Sequence, residues 1–246
     1  MRADMPPLVL LAGMNCTADL WTECGLDDAL TPELAEESMD AQVERLLAEL
    51  PPVFVLGGLS LGAIVAMTLA VRAPERLAGL VLVSTNAKAP TPAQQDGWRS
   101  WIARLDAGET PRTLQEEILP ALLSPAATKS ADLIERTLAM GDATGPAALR
   151  AQLRMQSTRA DLRPGLRNVD VPALVVAGVD DVICPPAFHV EIAAALPNAR
   201  TVTIDGGHLL PLEQPSEFGR LVRDWCDRRT AAAPARAEGT LSPGAR

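Results

Sequence analysis

The chain has 246 residues, 48% of them apolar, a formal net charge of −9 and a sequence pI near 4.8. That length suits one large domain, or a core with an inserted subdomain, and the acidic balance with scattered arginines argues against a nucleic-acid partner. The apolar run Pro7 to Ala12 is too short to span a membrane and has only Arg2 ahead of it, so neither an anchor nor a signal peptide is expected. Cys16, Cys24, Cys184 and Cys226 show no Cys-x-x-Cys pairing and no histidine at metal-ligand spacing. They read as free thiols of a cytoplasmic protein with no metal and no other cofactor.

Leu8 to Leu11 is a buried strand that ends in Ala12-Gly13-Met14-Asn15, a loop at the carboxyl end of a parallel sheet. Residues Asp27 to Glu37 are acidic and irregular, with a very short strand around Ala29 to Thr31. Met39 to Leu50 carries a helical stripe of Val43, Leu46, Leu47 and Leu50, stopped by Pro51-Pro52. A short apolar run from Val53 to Leu56 then leads into Gly-Gly-Leu-Ser-Leu-Gly, followed by a small-residue helix through Ala70 that Ala73-Pro74 closes. Leu77 to Val83 is a further strand.

From Thr91 to Arg159 the pattern turns wholly helical. Four helices are expected, at Thr91–Ala107, Thr110–Leu123, Ala131–Met140 and Pro146–Ser157, three of them opened by a proline in the first turn. Sheet logic resumes with a strand at Ala173–Ala177, a helix at Ala187–Leu196, a strand at Arg200–Ile204 and a last helix at Ser216–Arg228. Alternation of this kind implies a mostly parallel sheet flanked by helices. The expected division is a core of residues 1–86 and 160–229, a helical cap of residues 87–159 lying over the strand ends as a lid, and a disordered tail from 230 to 246.

Gly58-Leu59-Ser60-Leu61-Gly62 is the Gly-x-Ser-x-Gly pattern of a nucleophile elbow. Three such residues fall into register by chance in roughly 7% of chains this long, so the flanking strand and helix carry the reading. A serine on so tight a turn takes strained backbone angles, and the residues two before and two after it must lack bulk. Rival glycine motifs fail: Leu59 breaks the dinucleotide spacing, and Ala63-Ile64 stand where a phosphate loop needs Lys-Ser/Thr.

A serine hydroxyl needs a base, and the base an orienting acid. The sequence holds two histidines. His189 lies inside a helix and reads as a surface or lid-facing residue, whereas His208 follows a strand and Asp205-Gly206-Gly207, where it can approach a neighbouring loop as the base. The acid comes from Asp180 or Asp181, directly after the strand at Ala173–Ala177. Donors for a developing oxyanion are expected from the backbone amides of Leu61 and, after the first strand, Met14. The side chains Trp98, Trp101, Met140 and Met155 are candidates for an apolar substrate pocket, or for packing between lid helices.

The order nucleophile, acid, histidine, with Leu10-Leu11-Ala12-Gly13, the elbow, Ala73-Pro74-Glu75-Arg76-Leu77, Gly178 to Pro186 and Gly207 to Pro215, resembles the α/β-hydrolase fold from Pro7 to about Arg228. The resemblance is greatest to small bacterial esterases, lactonases and carboxylesterases with a helical cap. It implies a Gly-x-x-Asp-x-x-x-Pro pattern, whose counts from Gly178 and to Pro185 select Asp181 as the acid. The family's usual His-Gly after the first strand is here Ala12-Gly13, and Trp21 to Met39 is too short for the usual helix, strand and Gly-rich loop, so a stunted strand is expected. The implied activity is hydrolysis of a small ester, lactone or thioester through an acyl-enzyme on Ser60, by a monomer or homodimer acting without nucleic-acid or membrane partners. The alternatives are C–C bond hydrolysis or acyl transfer by the same three residues, or a binding protein on the same scaffold.

Overall fold

The computed structural model describes residues 5–232. Five strands, β1 (Leu8–Leu11), β2 (Phe54–Leu59), β3 (Leu77–Val83), β4 (Ala173–Gly178) and β5 (Ala199–Ile204), pair in parallel in the order of the chain. When each strand joins on the same side of the last, right-handed crossovers stack their helices on one face. That face carries α1 (Met39–Glu49), α2 (Leu61–Arg72), the short α6 (Arg163–Leu166) and α7 (Pro186–Ala195). The other face is closed by a 3-10 helix at Ala18–Cys24 and, after the last strand, by α8 (Leu210–Glu213) and α9 (Pro215–Ala232).

Side chains alternate between the two cores as strand geometry requires. Val9, Leu11, Leu56, Leu80 and Leu82 enter the first, while Leu10, Val55, Val81 and Val83 enter the second against Trp21, Phe218 and Trp225. The short strand expected around Ala29 to Thr31 is a single bridge. Leu30 exchanges backbone bonds with Leu8 and Leu10 at 2.9 and 2.8 Å on the open edge of β1. Pro32 stands two residues on, where the next N–H of the ladder would be needed, and a residue with no N–H cannot extend it.

Between β3 and β4 lie α3 (Pro92–Asp106), α4 (Pro111–Leu122) and α5 (Ala131–Ser157). Thr91 opens α3 with a reciprocal capping box to Gln94, and the Thr110 side chain caps α4. Gly145 sits inside α5 at φ 72° and ψ 163°, so the helix is in effect two, divided where Gly145-Pro146 implied. These helices share a small core of Leu105, Leu114, Leu149 and Leu153. Burial of such a leucine contributes about 2 kcal/mol. The exposed ion pairs across the same helices, such as Arg150 to Asp106 at 2.6 Å, contribute at most about 1 kcal/mol each. Packing therefore holds the helical layer together.

The last helix, α9, runs through Ala232. Residues 233–246 lie outside the described range, as do residues 1–4 with Arg2.

Candidate active site

Ser60 joins β2 to α2 at φ 54° and ψ −113°, a conformation costly for any residue with a Cβ. Its neighbours explain how the turn closes. A Cβ on Gly58 would stand 2.5 Å from the Ala63 nitrogen, and one on Gly62 would stand 2.6 Å from the Ala12 carbonyl oxygen. Strand and helix can pass only if both positions are glycine. The turn is fastened from outside as well, since the Ser60 N–H donates to the Val83 carbonyl at 3.0 Å and the Thr85 hydroxyl donates to the Ser60 carbonyl at 3.0 Å.

Asp181 and His208 come together from the ends of β4 and β5. The His208 Nδ1–H donates to Asp181 Oδ2 at 2.9 Å, with both side chains buried. The other carboxylate oxygen accepts from the amides of Ile183 and Cys184 at 2.9 and 2.8 Å. Asp181 is thereby fixed on both sides, while Asp180 stands exposed. His208 and Ser60 line one cavity of about 410 Å³, but no hydrogen bond joins Ser60 Oγ to the ring among the described residues.

Gly13 and Met14 form the wall beside Ser60. The first-turn amides of α2, with Leu61 at their head, have no partner four residues back within the helix and are available to an anion there. The Met14 loop lacks a histidine brace but has another. Asn15, fully buried at φ 57°, donates through Nδ2 to Gln115 Oε1 at 2.7 Å and to the Pro111 carbonyl at 3.0 Å, and through its backbone N–H to Gln152 Oε1 at 2.8 Å. Gln115 donates back to the Asn15 carbonyl at 3.3 Å. Asparagine tolerates the left-handed region, which is the only hint the sequence offered of this role.

His189 differs from expectation. It is buried, its Nε2 accepts from the Thr85 amide at 3.0 Å and its Nδ1 faces the Pro185 carbonyl at 3.4 Å. Through Thr85 it touches the Ser60 turn from behind. Burial lowers its pKa, so the ring is neutral near pH 7, as an acceptor at Nε2 must be. The thiols of Cys16 and Cys184 also reach the cavity, yet burial pushes both up to about 12. Protonated thiols are poor nucleophiles.

The sequence matches the alpha/beta hydrolase family over residues 8–221. The chain belongs to that family. Among similar α/β hydrolases are two curated relatives, each named pimeloyl-[acyl-carrier protein] methyl ester esterase. The one from Aromatoleum aromaticum is 30% identical over 90% of this chain and 98% of its own length. The one from Nitrosomonas europaea is 31% identical over 87% and 92%. A thermophilic esterase from Thermogutta terrifontis, solved with malate bound, superposes with a TM-score of 0.84 at 28% identity, covering 91% of this chain and 90% of that one.

The four expected pocket side chains divide. Trp98 and Trp101, half-buried on α3, line the cavity. Met140 and Met155 do not. Met155 is fully buried in the core beneath the α1 and α2 face, and Met140 packs into the opposite core. An apolar stripe on a helix says that a side chain is buried without saying against what. Sequence reasoning also missed Arg159, a buried cation on the cavity wall. Among the described residues no group of side chains could hold a metal ion, and no helix is long and apolar enough to cross a membrane.

Proposed function

We propose that this α/β hydrolase is a serine esterase acting on a small-molecule carboxylic ester. Ser60 Oγ attacks the ester carbonyl, His208 Nε2 takes its proton and returns it to the leaving alcohol, and Asp181 holds the ring in the tautomer that leaves Nε2 free to accept. The amides of Leu61 and Met14 stabilise the oxyanion. Water then attacks the acyl-enzyme by the same route in reverse. The Ser60–His208 bond forms as substrate excludes water, since such bonds are often long in an empty site. Residues 87–159 serve as a cap over a core of 1–86 and 160–229, and Trp98 and Trp101 orient the part of the substrate remote from the ester.

The observation that carries this reading is the 2.9 Å bond between His208 Nδ1 and Asp181, with His208 and the strained Ser60 lining one cavity. The esterase names of the relatives support the reaction class. A fluorophosphonate probe tests it: rapid labelling at one site, lost in Ser60→Ala, is expected, and an unlabelled wild-type protein would sink it.

A further inference from the structure

Among the described residues, Arg159 is a buried charge with no carboxylate to explain it. It is 7% exposed, lies just beyond α5 where the helical layer returns to the sheet, and lines the cavity that holds Ser60 and His208. Among the described residues no carboxylate pairs with it. Its Nη1 donates to Gln156 Oε1 at 2.9 Å and its Nη2 to Gln94 Oε1 at 3.0 Å, both neutral acceptors, and its Nε is buried without any partner. The ring of Trp98 covers the guanidinium at 5.2 Å.

A guanidinium has five N–H donors, so two bonds to glutamine leave most of the fork open. Desolvation without a neighbouring carboxylate lowers its pKa, yet an arginine stays charged. An unpaired buried charge is strongly disfavoured, which is tolerable where a ligand completes the pair. The second cation of the wall is different, because Lys88 is already neutralised by Glu191 at 2.8 Å. A chain of net charge −9 also repels an anionic substrate at long range, so an anion would need a local cation to be held.

We infer that Arg159 is the anchor for a carboxylate on the substrate, and that the ester cleaved at Ser60 belongs to a molecule that also carries a free acid, such as a dicarboxylic acid half-ester. This deepens the esterase reading and rests on it for the reaction, though not for binding. The planar fork of Arg159 matches the two oxygens of a carboxylate, Gln94 and Gln156 hold the fork in place, and Trp98 closes one face. Arg159 is a specificity residue that touches the substrate away from the reacting carbonyl.

The experiment compares monomethyl with dimethyl esters of the straight-chain dicarboxylic acids from succinic to suberic. At one chain length the wild type should favour the anionic monoester in kcat/KM by tenfold or more, and Arg159→Gln should lower that monoester-to-diester ratio about 30-fold, the loss expected when a buried charge pair is broken. Arg159→Lys should recover part of the ratio, since it restores the charge but not the fork. Calorimetry with the free diacids on Ser60→Ala reads the anchor without turnover, and adding Arg159→Gln should abolish that binding. If the fluorophosphonate fails to label Ser60 but the diacids bind in an Arg159-dependent way, the esterase reading falls and the anion site stands. If labelling succeeds and neither the ester ratio nor diacid binding depends on Arg159, the inference is overturned. Should Arg159→Gln not fold, the wild-type ratio decides alone, and a wild type indifferent to the free carboxylate overturns it equally.

Discussion

The loops at the carboxyl rim of the sheet and the helices from 92 to 157 build the same cavity by different means. On the rim, Ser60, Asp181 and His208 each follow a strand and are held largely through backbone bonds. The helices and the turn that follows them contribute side chains, Trp98 and Trp101 from α3 and Arg159 just past α5. Backbone-held chemistry demands particular residues at particular spacings, whereas a wall built from side chains demands only bulk and polarity. The two regions are also joined. His208 and Leu209 both donate to the Leu122 carbonyl at the end of α4, at 3.0 and 3.1 Å, and Glu213 accepts from Gly207 at 3.1 Å and from Ser124 at 3.2 Å.

The largest effect expected on the rim is that of Ser60→Ala. Loss of a nucleophile of this kind lowers turnover on the order of 10⁴ to 10⁶-fold. Alanine keeps the Cβ and so the same backbone strain, and among the described residues Ser60 Oγ holds no hydrogen bond to lose, so the melting temperature should not fall; near wild-type hydrolysis by the purified variant would end the assignment. Next is Asp181→Asn, expected to cost roughly 10⁴ in kcat as the ring loses its tautomer and the stabilisation of its charged form. Asp180→Asn, one residue away and exposed, should change kcat by less than about tenfold, or 1.4 kcal/mol of barrier. Measured at pH 8, the reverse ranking would move the acid to Asp180.

This contrast tracks what could be read in advance. The elbow was legible because a turn that leaves less than 3 Å for a Cβ at Gly58 and Gly62 accepts glycine alone. The contact of Asp181 with His208 was to be expected only through the resemblance, whose pattern counts from Gly178 and to Pro185, and the stunted strand through the shortness of residues 21–39. Asn15 was not, since its glutamine partners on α4 and α5 lie 100 and 137 residues away and impose no spacing. His189 was misjudged because α7 shows no distinct apolar face: exposed Val190 follows buried His189, so the pattern could not say which side meets the sheet. Arg159 stands outside any motif, and its meaning appears only with the cavity around it.

Two substitutions ask how far the helical layer governs the rim. Asn15→Ala strands Gln115 and frees the Met14 loop. An unmet buried partner costs about 1–3 kcal/mol, and kcat should fall about tenfold or more if that loop supplies an oxyanion donor. A variant that loses stability but keeps kcat would confine Asn15 to the fold. Trp98→Ala and Trp101→Ala should raise KM for long or bulky esters more than for methyl acetate, because remote contacts orient only substrates that reach them. Equal changes across a panel of chain lengths would make both tryptophans structural.

The smallest effect concerns His189, which ties α7 to the rim through Thr85. Its folded pKa lies below the usual 6.5, chiefly through desolvation and also through the positive charge His208 can carry, while the Pro185 carbonyl and Asp181 oppose the shift. Above pH 6.5 the ring is neutral in both folded and unfolded chains and contributes no pH dependence. Below it the unfolded chain takes up a proton that the folded one resists, so stability falls as pH drops from 6.5 toward the folded pKa, by at most about 1.4 kcal/mol per pH unit. His189→Gln supplies a side-chain oxygen that can accept from the Thr85 amide without titrating. Urea melts from pH 7.5 to 5.5 should therefore show the wild type losing stability faster than the variant, with the two curves converging as pH falls. Parallel curves would mean that His189 releases its bond to Thr85 and protonates freely, and the link from α7 to the Ser60 turn would then be dispensable.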